Sequence, residues 1–340
     1  YGQASAVLEP ALEILRPEWP GEQAFCQLEM AAVARARGDY TLAGRLAEES
    51  LALSRQIGNV ESEAHALLSI GMTCYPTGDI DRADLLFQES LAAARASGSP
   101  QAMLLALNAL GDIACHRGEY AKAQAMFEEC LSLSRELGNA FNAAIHLNNL
   151  GSVWHELGEY RQAQALYQES LDICREIGDQ EGQAMALSNL GEAAYELGEY
   201  RQARTFYRQG LAIGHSIQDQ KLIATCLNNL GEVACALGED QEARACLAEA
   251  LKIVVETQAL TLLMKILVNL AVPLARQGQR EQASVVLGLV LHHTAAEQSI
   301  REKAERLLAE LSLTPLETPH TPLDAVIAQV LDGLEQVPIT

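Results

Sequence analysis

Three sets of polar side chains recur in this chain at steps of 40 residues, and their types suit the capture of a peptide bond or a cation. One column reads Asn108, Asn148, Ser188 and Asn228, a second reads Asn149, Asn189, Asn229 and Asn269, and a third reads Asp112, Ser152, Glu192 and Glu232. His155 and Tyr195 stand three places beyond members of the third column. An asparagine amide offers a donor and an acceptor side by side, the same pair that a backbone peptide presents. A ladder of them can therefore hold an extended segment by its backbone. At a net 0.5–1.5 kcal/mol per bond, four or five contacts give about 5 kcal/mol, which alone is submillimolar to millimolar binding. Side-chain pockets must supply the remainder. The same amides can instead bridge neighbouring helices, and the column from Asn149 to Asn269 is the more open to that reading.

Other chemistry is not assembled by the spacing. His116, His155, Glu156, Cys115 and Cys235 are potential metal ligands, but they come from different helices with no ligand signature. The chain has no GxxxxGK[ST] phosphate loop and no GxSxG elbow, and nothing places its Ser, His and Asp residues as a triad. No catalytic residue, metal or cofactor is assigned, and an enzyme is not expected. A net charge of -21 argues against a nucleic-acid partner, which needs a concentrated basic surface. The longest apolar stretch, around 260–275, is interrupted by Lys265, Asn269 and Pro273, so no membrane span is expected. The eight cysteines form no CxxC pair and read as small packed residues of a reducing compartment, with the cytoplasm as the expected location.

The elements that must carry these columns are legible from punctuation. A glycine followed by an acidic or polar residue recurs at Gly38-Asp39, Gly78-Asp79, Gly118-Glu119, Gly158-Glu159, Gly198-Glu199, Gly238-Glu239 and Gly278-Gln279. Alanine follows each glycine by five places (Ala43 to Ala283) and leucine by 13 (Leu51 to Leu291). A fixed period of this size marks a tandem array. In the stretch 179–218, Leu187, Leu190, Ala194 and Leu197 form one helical stripe, Gly198 ends it, and Ala203, Tyr207 and Leu211 form a second. Each unit is therefore two helices, A and B. Gly58-Asn59, Gly98-Ser99, Gly138-Asn139 and Gly178-Asp179 join a stop to an N-cap at the unit boundary, while Gln replaces the glycine at 218. Glu199 is expected to favour the N-terminal end of its helix. Helix A also carries an interior glycine (Gly71, Gly111, Gly151, Gly191, Gly231) at a cost of about 1 kcal/mol against alanine. The expected reason is close approach of helix B, matched by its small Ala203-type residues. Pro273 is expected to kink or shorten the last turn of its helix.

A glycine in helix A, an alanine twelve residues later and an aromatic four beyond that (Phe87, Phe127, Tyr167, Tyr207) resemble the tetratricopeptide repeat. The 40-residue period is similar to that of the kinesin light chain and of the C-terminal sensor region of bacterial signalling ATPases with numerous domains. The resemblance implies an all-α fold, a right-handed α-solenoid of two-helix repeats. Residues 1–17 are expected to be a lone helix B of an upstream unit, 18–297 seven repeats, and 298–340 capping helices joined by a Pro/Thr linker. It further implies that the side of helix A carrying 185, 188, 192, 195 and 196 lines a concave groove, as in peptide-pheromone receptors. On that alignment the groove has a polar, acidic middle with apolar ends at Leu68, Met72 and Tyr75 and at Val268 and Val272. Lys265 and Arg276 are the only cations placed on its C-terminal part, and Arg35 is one at the N-terminal end. The implied partner is a peptide or protein segment, neutral or basic with apolar anchors. The sensor resemblance implies, in addition, an upstream nucleotide-binding domain of the same chain and a fragment's beginning at Tyr1. Alternatives are a passive scaffold or self-assembly module, and a small-ligand sensor of the sugar-binding maltose-regulator kind.

Overall fold

The computed structural model describes residues 19–316 and 323–335. The stretch 1–17 and most of the Pro/Thr linker lie outside them. The described residues form 16 helices. They are α1 (Pro20–Ala36), α2 (Tyr40–Ile57), α3 (Val60–Cys74), α4 (Ile80–Ser97), α5 (Pro100–His116), α6 (Tyr120–Glu136), α7 (Ala140–Glu156) and α8 (Tyr160–Ile177). They continue as α9 (Gln180–Glu196), α10 (Tyr200–Ile217), α11 (Gln220–Leu237), α12 (Asp240–Thr257), α13 (Leu260–Arg276), α14 (Arg280–His292), α15 (Gln298–Glu310) and α16 (Leu323–Glu335). Up to α14, odd helices are A and even helices are B. The fold is an all-α solenoid, and the chain divides into two compact units, Tyr1–Leu157 and Gly158–Thr340. Each unit is a stack of antiparallel pairs.

The helix ends follow from cap chemistry. Asp39, Asn59, Asp79, Ser99, Asn139, Asp179 and Asp219 each accept a backbone N–H three residues on, satisfying a donor the helix leaves orphaned. Glu119, Glu159, Glu199 and Glu239 occupy the same place before helix B without a side-chain cap bond. Glu199 instead takes an ion pair from Arg161, one repeat earlier. At the boundary Gln218 and Gln258 adopt the left-handed conformation, φ 58° and 54°, that glycine supplies elsewhere. Their side chains meet a steric cost there that glycine avoids.

The interior glycines do face helix B, but they meet a larger side chain than expected. A Cβ on Gly111 would stand 2.5 Å from Phe127 Cε1, and one on Gly231 2.5 Å from Leu247 Cγ. Gly71 and Gly191 face Phe87 and Tyr207 in the same way. The large side chain sixteen residues on, not the small alanine, occupies the space a methyl would need. The Ala203-type residues are themselves fully buried, packed deeper in the pair.

Pro273 does not shorten its helix. α13 runs 17 residues to Arg276, as long as α9, and Gln277 N donates to Pro273 O at 3.1 Å beyond it. In the second unit, α15 and α16 close the apolar end of the stack. Ile300, Ala304 and Leu308 of α15, with Val326, Ile327 and Val330 of α16, join the same core as Leu267, Leu274 and Leu287. Gly288 of α14 makes room for this closure, since the backbone carbonyl of Leu316 lies directly against it.

Candidate ligand-binding faces

In the second unit, α9, α11 and α13 turn their polar columns onto shared space. Positions 188, 192 and 195 recur at i, i+4 and i+7, one stripe of α9. Ser188, Asn189, Glu192 and Tyr195 meet Asn228, Asn229 and Glu232 around a cavity of about 710 Å³, whose walls also include Lys221, Lys265 and Lys303. Asn269 lies on an adjoining cavity of about 200 Å³ that also touches Tyr195, Glu232 and Arg276. The amides are tied to one another. Asn269 Nδ2 donates to Asn228 Oδ1 at 2.9 Å, and Asn228 Nδ2 to Asn229 Oδ1 at 3.1 Å. Both Asn228 and Asn269 are buried, whereas Asn189, Asn229 and Ser188 keep partial exposure. Burial, and then Glu232, raises the pKa of the Tyr195 phenol, so it stays a neutral donor against the acidic wall.

In the first unit, α5 and α7 build the corresponding face. Asn149 Nδ2 donates to Asn108 Oδ1 at 2.9 Å, and Asn108 Nδ2 to Asp112 Oδ2 at 3.3 Å. Asp112, Asn149 and Ser152 line a cavity of about 590 Å³ together with Tyr75, Cys115, His116, Tyr120 and Glu156. Ser152 Oγ donates to Asn148 O within its own helix at 3.1 Å. Asn148 is buried and His155 half-buried, and neither is among the residues lining that cavity. Desolvation raises the Asp112 carboxyl to about 6, while its outer face still reaches water. Burial pushes Cys115 up to about 11 and Cys235 up to about 12, which leaves both as thiols at neutral pH. Among the described residues no group of three or more His, Cys, Asp or Glu converges as a metal site.

Two expectations need correction. Leu68 and Val268 are buried at 6% and 1% exposure, so they belong to the core and cannot anchor a ligand. Met72 is exposed as expected, but further exposed apolar side chains lie in the repeats between the two ends: Leu105 and Ile145 in the first unit, Met185 in the second. Each of these latter stands three places before a member of the first polar column, so the 40-residue step already carried that signal. The second correction concerns charge. Lys221 of α11 and Lys303 of α15, both absent from the expected cations, line the larger cavity, and Lys303 places Nζ on Glu232 Oε1 and 2.8 Å from Asn269 Oδ1. No periodicity could reveal Lys303, because its partner is 71 residues away.

Comparison with known proteins agrees with this architecture. Family models described as tetratricopeptide repeat match residues 23–96, 102–176 and 142–214, and residues 223–257. A signal transduction ATPase with numerous domains, carrying a tetratricopeptide repeat sensor, from Pyrococcus horikoshii superposes with TM-score 0.68 at 14% identity. The match covers 92% of this chain and 44% of that one. The apo quorum sensor NprR from B. thuringiensis gives TM-score 0.64 at 17% identity, covering 90% and 80%. A Rap protein complexed with competence and sporulation factor gives 0.62 at 14%, covering 98% and 88%. No curated protein matches. Among the described residues, no helix is long and apolar enough to cross a membrane.

Proposed function

The chain belongs to the tetratricopeptide repeat family, and from that premise we propose that its A-helix faces form a non-catalytic recognition site for a peptide or a segment of a partner protein. The family is one of protein-interaction modules, and no enzymatic family is indicated. The observation that carries the reading is the convergence of six polar-column residues, Ser188, Asn189, Glu192, Asn228, Asn229 and Glu232, on one cavity of about 710 Å³. Half-exposed amides there offer donors and acceptors, Glu192, Glu196 and Glu232 are balanced by Lys221, Lys265 and Lys303 so that a ligand without excess charge fits best, and Leu260 and Leu262 offer an apolar seat beside them. The buried Asn228–Asn269 pair serves the architecture, so the half-exposed Asn189 and Asn229 are the amides assigned to ligand.

The finer reading is that this module is the sensor region of a larger bacterial regulator with an upstream nucleotide-binding domain. The likeness to the sensor-bearing ATPase over 92% of this chain supports it, as does the likeness to the quorum sensor NprR. The test is selection from a random peptide display library on the parent chain. The selected peptides are then titrated against the Asn189→Ala, Asn229→Ala double variant, with circular dichroism as a check on folding. Loss of about tenfold in affinity, the scale of one or two hydrogen bonds, is expected. A library that yields no binder, or binders indifferent to both substitutions, overturns the reading.

A further inference from the structure

The cavity of the first unit and the smaller cavity of the second are one design, three repeats apart. A shift of 120 residues carries Tyr75 onto Tyr195, Asp112 onto Glu232, Cys115 onto Cys235 and Asn149 onto Asn269, and all eight line their respective cavities. The equivalence extends to hydrogen bonding. Asn149 and Asn269 each donate Nδ2 to the Oδ1 of an asparagine 41 places earlier, both at 2.9 Å. That bond uses the amino group and leaves the Oδ1 to accept. In the second unit the acceptor is taken: Asn269 Oδ1 and Glu232 Oε1 share the ammonium of Lys303. In the first unit, Asp112 and Asn149 line a cavity whose walls include neither lysine nor arginine.

We propose that the Asp112–Asn149 cavity is a lysine subsite, taking the ammonium of a partner helix that carries a leucine one turn beyond its lysine. The proposal rests on the recognition reading above and gives one of its subsites a chemistry. The template for the ligand is within the chain, where Lys303 arrives on α15 with Leu307 and Leu311 at i+4 and i+8, and both leucines line the same cavity. Tyr75 and Tyr120 offer the apolar surface in the first unit. At one repeated position the charge is reversed. Arg276 stands where the first unit has Glu156, so the Asp112 cavity is the more negative of the two and favours a cation more strongly. A phosphate or an acidic tail would meet two carboxylates there and be repelled. The raised pKa of Asp112, caused by desolvation with no basic side chain bonded to it among the described residues, is the state an incoming ammonium relieves.

The test uses the whole chain and a fluorescent peptide of residues 298–312, QSIREKAERLLAELS, titrated by anisotropy. Saturable binding is expected. It should weaken about tenfold or more in chain variant Asp112→Asn, the scale of a charge-assisted hydrogen bond, and equally when the peptide carries Lys303→Gln. Asp112→Glu, which installs the acid of the second unit, should retain it. No saturable binding up to millimolar peptide, or binding indifferent to Asp112→Asn, overturns the proposal. So does binding indifferent to Lys303→Gln in the peptide. Library-selected peptides that bind through Asn189 and Asn229 while this peptide does not would sink the lysine subsite and leave the recognition reading standing. Self-association of the parent chain that is lost in Lys303→Ala would identify the occupant as a second copy's α15 and overturn the assignment to a separate partner.

Discussion

Asn269 and Asn228 are bonded amide to amide at 2.9 Å, and both are buried. A residue that looks like a ligand contact in sequence is thus already committed within the protein. Asn228→Ala removes the acceptor and leaves a buried donor of Asn269 short of its best partner, which costs about 1–3 kcal/mol. Urea denaturation followed by circular dichroism measures it. A midpoint equal to that of the parent would show that the pair is not structural.

Much of the fold was legible because a solenoid repeats its punctuation. The N-caps at Asn59, Ser99, Asn139 and Asp179 do bond as their chemistry requires, and the left-handed turns fall where the glycines are spaced. The alignment also placed Asp112, Asn149 and Ser152 on one cavity's helices and Ser188, Asn189, Glu192, Asn228, Asn229 and Glu232 on the other's, because any position on a repeated helix has a repeated address. It failed where contact ignores the period. Lys303 reaches back 71 residues to Glu232, and Leu68 shares a column with Asn108 yet turns into the core. Sequence spacing gives the face of a helix to within a residue's arc, while burial depends on what the neighbouring helix brings to that arc.

The second prediction concerns Gly111. Alanine there forces a methyl against the Phe127 ring, an overpacking cost of about 1–3 kcal/mol that outweighs the roughly 1 kcal/mol gain in helix propensity. In a double-mutant cycle with Phe127→Ala, the Gly111→Ala penalty should shrink or change sign. Additive effects would show that the ring is not what the glycine accommodates.

Gln218 and Gln258 offer the opposite experiment. Both hold positive φ without being glycine, so Gln218→Gly and Gln258→Gly remove a steric penalty of up to about 1 kcal/mol each, offset partly by added unfolded-state entropy. Thermal melts of the double variant should shift upward. A melt at or below the parent's would mean that the side chains make contacts worth more than the strain.

His146 should make the protein acid-sensitive. Its imidazole is 4% exposed with Nδ1 unpartnered, and burial lowers its pKa to about 4 from an ordinary 6.5. The unfolded chain therefore takes up a proton near pH 6.5 that the folded chain refuses until near pH 4, and stability falls as pH drops through that window. The loss is about 2 kcal/mol by pH 5. Alanine, the residue at 66, 106 and 186, abolishes this component. The difference in denaturation free energy between parent and His146→Ala, measured at pH 7.5 and pH 5, should change by about that amount, since the other titrating groups are common to both. A difference independent of pH would refute the assignment.

The seating of Lys303 has a consequence for dose. An ammonium tethered to its own acceptors competes at an effective concentration on the order of millimolar, however dilute the protein is. An outside lysine at micromolar concentration must therefore bind Glu232 and Asn269 about a thousandfold better than Lys303 does, roughly 4 kcal/mol, before it displaces the resident one. Asp112 and Asn149 face no such tenant among the residues lining their cavity. Two copies of one subsite in one chain would then answer the same chemical signal at different thresholds, the first filling with concentration and the second staying silent until affinity overcomes the tether.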